Sequence, residues 1–209
     1  MSKPTIMPAY ATPILHTVLE DCEATNAGLK ELILSRADPN PTAVRSNIGG
    51  WHSENDLLNW DSAHVTRLLK WFQSGITTLT QATGGVEDAK EGEFFLAAWA
   101  NVLYKGGYNR VHDHFGYIWS GVYYVDAGDP TPEHEYAGVL EFIEPRTAVT
   151  WPYMPGQPFR HPVRVTPTSG QLVMFPSWLL HHVHPYQGER PRISIAFNAA
   201  FKFSGQEKL

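Results

Sequence analysis

Cysteine is almost absent from this chain. Cys22 is the only one, which excludes an intrachain disulfide and any cysteine-rich zinc site. A reducing compartment fits that scarcity, and a soluble, cytoplasmic protein is the expectation. Clusters of positive charge are missing too: 16 Lys and Arg stand against 21 Asp and Glu, a net charge of −5, with no basic run. The electrostatic footprint of a nucleic-acid binder is therefore lacking, and no DNA or RNA partner is expected. The opening MSKPTIMPAYATPIL has neither the apolar region nor the small-residue cleavage pattern of a signal peptide. No apolar stretch approaches the roughly 20 residues that span a bilayer, so no membrane partner is expected. Internal repeats and low-complexity tracts are absent as well.

What remains is a chain of 209 residues, 43% hydrophobic and 12% aromatic, long enough to bury a full core as one domain covering residues 1–209. Its character changes along its length. Thr12 to Leu19 can form an early strand, and Asp21 can cap a helix carrying Cys22, Leu29, Leu32 and Ile33 that stops near Arg36. In SNIGGW (46–51), Gly49 and Gly50 permit a loop over a pocket mouth, or a tight turn with Trp51 packed on the core. From Asp61 as N-cap to about Thr83, Val65, Leu68, Leu69, Phe72, Ile76 and Leu79 recur at helical spacing, and Gly84-Gly85 ends the element.

After that the period becomes that of strands, predicted at 93–103, 110–114, 120–125, 137–143, 147–153, 162–166, 171–175, 181–184 and 192–203. Short strands separated by Gly, Pro, Asp and Ser turns predict a mainly β (α+β) fold. Its core is a jelly roll or barrel at 91–209, buttressed by helices from 1–90.

Three stretches carry the chemistry. His112 and His114 sit two apart, so in a strand both imidazoles leave one face, as two metal ligands would, with Asp113 on the other. Sixty-seven residues after His114 comes HHVH at 181–184, where alternation puts His181 and Val183 on one face and His182 and His184 on the other. In the last strand Arg192, Ser194, Ala196 and Asn198 share a face, and Ile193, Ile195 and Phe197 form the apolar face that meets the helices. An arginine inside a barrel needs an anionic partner, because a buried unpaired guanidinium is costly. That partner is either a protein acid or a bound carboxylate. The choice of His181 as third ligand follows from Arg192 on the strand after it.

His112-x-His114, SGVYY (120–124), GQLVMFPSWLLHHVHP (170–185), Arg192-Ile193-Ser194 and the earlier SNIGGW together resemble the 2-oxoglutarate- and iron(II)-dependent oxygenases, within them a branch of small oxygenases of unassigned substrate. The resemblance implies a double-stranded β-helix with iron(II) and 2-oxoglutarate as cofactors. It implies His112 and His181 as iron ligands, and Arg192 with Ser194 as the pair that holds the distal carboxylate of 2-oxoglutarate. Where that superfamily usually has Asp or Glu, this chain has His114, so the resemblance implies a three-histidine set. Asp113 would replace it only if the strand were bulged. The implied reaction is hydroxylation of a substrate, small molecule or peptide, with release of succinate and carbon dioxide. Tyr123 and Asn198 are candidates for the cosubstrate pocket, with Tyr108 and Trp119 beside them; each also reads as ordinary core packing.

A second family shares parts of this pattern. Gly106 followed by His112-x-His114, and Gly170 followed by Pro176 and His181, match portions of the two cupin motifs, although Ile118 and Trp119 stand where a cupin glutamate is expected. A cupin-like three-histidine enzyme, or a metal-binding jelly-roll module, would not use 2-oxoglutarate. The two readings part at Arg192 and Ser194. Substrate, native metal and homo-oligomer formation stay open on the sequence.

Overall fold

A computed structural model describes residues 10–38, 46–84, 92–146 and 162–204. In chain order the elements are β1 (Leu15–Val18), α1 (Glu23–Leu34), β2 (Asn47–His52), a 3-10 turn (Leu57–Asn59), α2 (Ala63–Ala82), β3 (Gly92–His112), β4 (Trp119–Asp126), β5 (Leu140–Phe142), β6 (Val163–Val165), β7 (Gln171–Pro176), β8 (His181–Val183) and β9 (Arg192–Phe203). The strands join antiparallel in the order β1-β7-β4-β9-β3-β8-β5-β6, with β2 added to β3. This is the expected double-stranded β-helix with helices on one outer face.

The apolar periods explain the layering. On α2, Val65, Leu68, Phe72, Ile76 and Leu79 are all buried, and they meet the Ile193, Ile195 and Phe197 face of β9 in one core cluster. Phe72 stacks on Phe197 with ring centroids 3.9 Å apart. The helix comes close because Gly75 has no side chain: a Cβ there would lie 2.3 Å from Met174 Sδ on β7. Alternate residues of the same strands, Leu103, Tyr124, Val173 and Phe175, turn inward to a second cluster with Leu140, Phe142 and Val183. The sheet is thus apolar on both faces over much of its width, one face under the helices and one around the interior.

Local signals fell short at the ends of elements. Ser62, not Asp61, caps α2, its hydroxyl accepting from the His64 N–H at 3.2 Å. Cys22 occupies the N-cap of α1 without capping a backbone N–H, its Sγ instead accepting from Asn26 Nδ2 at 3.6 Å, and Asp21 stands one residue earlier with φ +50°. The predicted strands 93–103 and 110–114 are one continuous β3 ending at His112. The Gly106-Gly107 pair does not break it, because the Tyr186 backbone bridges the gap: Gly106 N–H donates to Tyr186 O and Tyr186 N–H to Gly107 O, both at 2.7 Å. SNIGGW is neither loop nor tight turn; its residues 47–51 belong to β2, which pairs with β3 across a bulge at Gly49 (φ +69°), and Trp51 packs in the helix-side core. The strand expected at 147–153 lies outside the described residues.

Candidate metal centre

β3 and β8 pair so that His112 stands directly opposite His181. His114 lies just past the end of β3, where its N–H donates to Ser177 O at 2.9 Å, tying it to the turn that leads into β8. The three rings converge: centroids are 4.4 Å apart for His112 and His181, 5.0 Å for His112 and His114, and 5.2 Å for His114 and His181. One nitrogen from each lies within 4.8 Å of the others. Asp113 is exposed and takes no part in this cluster.

The hydrogen bonds on the far side of the rings set their tautomers. His112 Nδ1 lies 2.7 Å from Arg110 O, and His181 Nδ1 2.8 Å from Leu179 O. A carbonyl only accepts, so both Nδ1 atoms carry the proton and both Nε2 lone pairs are free for a metal. His114 Nδ1 faces the side-chain amide of Asn198 at 3.3 Å, whose Oδ1 accepts from Ser120 Oγ at 2.7 Å. With that amide turned over, Nδ1–H donates to Oδ1 and Nδ2 to the serine hydroxyl, giving His114 the same tautomer as the other two. Burial keeps all three rings neutral: it lowers the pKa of His112, and, with the neighbouring imidazoles, takes His114 down to about 4 and His181 to about 3. Three neutral imidazoles with free lone pairs are the chemistry a transition metal requires.

The same cavity holds Arg192, which is 2% exposed. Its Nη1 reaches Ser194 Oγ at 3.4 Å, its guanidinium lies 4.9 Å from the centre of the Tyr124 ring, and no acid pairs with it among the described residues. Burial lowers its pKa, and burial raises that of Tyr124. Among the described residues neither Arg192 Nε nor the Tyr124 hydroxyl has a partner at hydrogen-bond geometry other than the two groups' own approach to each other. A buried guanidinium with no acid beside it among the described residues is costly, and an anion in the cavity would offset that cost.

Of the residues expected at the site, His112, His114, His181, Arg192 and Ser194 line one cavity, and Asn198 touches its edge through His114. Tyr123 does not. It points to the helix side, where its hydroxyl donates to Asn26 Oδ1 at 2.6 Å and its ring meets Trp71. Trp119 faces the same way, with Nε1 3.3 Å from Thr80 Oγ1. Tyr124 is the cavity tyrosine, and the register shows why: it stands opposite Ser194, whereas Tyr123 stands opposite Ile195. Only the register of SGVYY on RISIAF decides which tyrosine shares a face with Arg192. Asn101, across from Ser194 on β3, also lines the cavity and carried no sequence signal.

Comparisons with known proteins bear on the family and the fold. Residues 97–198 match the family described as "Putative 2OG-Fe(II) oxygenase". No curated protein sequence matches. Among solved structures, a Pseudomonas putida prolyl-4-hydroxylase is 18% identical, with TM-score 0.64 over 90% of this chain and 92% of that one. A Trichoplax adhaerens prolyl hydroxylase, in complex with a peptide fragment of the hypoxia inducible factor oxygen degradation domain, is 14% identical, with TM-score 0.58 over 90% and 83%. HygX from Streptomyces hygroscopicus, with nickel and 2-oxoglutarate bound, is 13% identical, with TM-score 0.57 over 90% and 83%.

Proposed function

Residues 97–198 belong to the 2OG-Fe(II) oxygenase family, and from that premise we propose that this oxidoreductase holds iron(II) on His112, His114 and His181 and grips the distal carboxylate of 2-oxoglutarate with Arg192 and Ser194. Its reaction is then oxidation of a substrate C–H bond by dioxygen, coupled to conversion of 2-oxoglutarate to succinate and carbon dioxide. The observation that carries this reading is Arg192, buried without an acid in the cavity where three imidazoles converge.

Bound iron(II) with 2-oxoglutarate would supply the dioxygen chemistry; the chain supplies position and shelter. Arg110 O, Leu179 O and the Asn198 amide hold the rings in place. Arg192 offers a fork that matches a carboxylate, Ser194 a hydroxyl beside it, and Tyr124 a further O–H donor. Val122, Leu140, Phe175 and Val183 make the walls apolar, which keeps water out and strengthens each charge interaction inside. With three neutral ligands, a dication held here would be neutralised by its anionic cosubstrate rather than by a protein carboxylate. The substrate class is a peptide or a small molecule, the two kinds of partner bound in the similar structures of the Trichoplax adhaerens prolyl hydroxylase and of HygX.

His114 favours one other reading, a three-histidine cupin-type enzyme that makes no use of 2-oxoglutarate. The test separates the two. Protein loaded anaerobically with iron(II) should develop a visible charge-transfer band when 2-oxoglutarate is added, and Arg192→Ala should lose it while still binding iron. Absence of the band at saturating iron and cosubstrate would rule out the oxygenase reading and leave the cupin one.

A further inference from the structure

β8 has two faces, and only one looks into the cavity. On the other, His182 stands opposite Glu141 of β5, and His184 follows two residues later, its N–H held by Val139 O at 2.9 Å. Alternation along β8 and the cross-strand pair therefore bring two imidazoles and one carboxylate to a single patch of the outer surface. We propose that Glu141, His182 and His184 form a second metal site, separate from the cavity, that takes a borderline divalent ion of the zinc type.

The donors are already close to coordinating distance. His184 Nε2 is 3.0 Å from Glu141 Oε2, and His182 Nε2 is 3.9 Å from Oε1. One donor atom from each residue lies within 4.8 Å of the others. Zinc bonds of about 2.0–2.1 Å at tetrahedral angles put donor atoms about 3.3 Å apart, so small ring rotations suffice. The 3.9 Å gap between His182 Nε2 and Glu141 Oε1 is longer than a hydrogen bond. An ion between Oε1 and the two Nε2 atoms closes that gap.

The surroundings suit the role. Arg164 Nε donates to Glu141 Oε2 at 2.5 Å and its guanidinium lies 4.3 Å from the centre of the Tyr136 ring; that ring is 5.4 Å from the ring of His184. Arg164 thus orients the carboxylate from behind and leaves Oε1 for the metal, as partners behind metal ligands commonly do. Its positive charge also makes this site weaker than one with an unpaired carboxylate. Side-chain exposures of 22% for His182, 23% for His184 and 17% for Glu141 allow an ion in from solvent and leave room for a water as fourth ligand. Two imidazoles and one carboxylate favour zinc, cobalt, nickel or copper over calcium or magnesium, which prefer oxygen donors. An ion bound here pins β8 to β5, on the reverse of the strand that carries His181.

Counting bound zinc in tag-free, folded protein tests this without reference to catalysis. Wild type should hold two equivalents after equilibrium dialysis against zinc, and His184→Ala and Glu141→Gln one each. A His112→Ala/His114→Ala double variant should keep one equivalent, and zinc should raise its melting temperature; adding His184→Ala should abolish both effects. If the folded double variant binds no zinc, or if both His184→Ala and Glu141→Gln still bind two equivalents, the outer site does not exist. A chain that binds one equivalent, lost in His184→Ala and kept in the double variant, would support the outer site and refute the cavity site instead.

Discussion

At the scale of single residues, the site depends on groups that never touch the metal position. Asn198 faces His114 Nδ1 at 3.3 Å and is itself engaged by Ser120, so it holds the ring's orientation and, with its Oδ1 toward the ring, the tautomer a metal requires. Asn198→Ala should weaken divalent-metal binding in the cavity by about 10–100-fold, the usual cost of removing such a partner. Competition titration of the folded variant with a chromophoric chelator measures that loss, and an unchanged affinity would refute the role. The face of β9 and the inward and outward sides of His181 and His182 were legible in the sequence, because they rest on strand alternation. His114, by contrast, joins His112 from just past the end of β3, held by Ser177 O. Tyr124 was not legible. Choosing between two adjacent tyrosines requires knowing which β9 residue each one faces, and that is a property of the pairing, not of the strand.

At the scale of elements, β2 and β3 show what close backbone approach demands. A Cβ at Gly50 would lie 2.4 Å from Val102 O, so no side chain fits between the paired strands there. Gly50→Ala should therefore destabilise the fold by about 1–3 kcal/mol, as forced overpacking does. Denaturant titration at fixed metal content reads the change; a difference within error would mean that β2 shifts freely on β3. This stretch reads as a loop because glycine pairs usually mark turns. Its pairing depends on a bulge and on partners more than fifty residues away in sequence. The two helices, by contrast, were plain from period alone, and only their first residues were displaced, where Asp, Ser and Cys compete as caps.

At the scale of the whole molecule, three imidazoles held neutral by burial tie folding to pH. Their native pKa values lie below the ordinary 6.5, at about 4 for His114 and about 3 for His181, with His112 also lowered. Between those values and 6.5 the unfolded chain binds more protons than the native one, so stability rises with pH across that window and falls on acidification. Metal-free protein should accordingly lose denaturation free energy as pH drops from 6.5 towards about 5, before most carboxylates titrate. A flat profile over that interval would contradict neutral, buried rings. No described helix is long and apolar enough to cross a membrane. The sheet order carries one more implication. β9, the last of the nine described strands in chain order, lies between β4 and β3 and pairs with both. During synthesis the two halves of the sheet must wait for it, so the cavity can take shape only once nearly all of the described chain has left the ribosome.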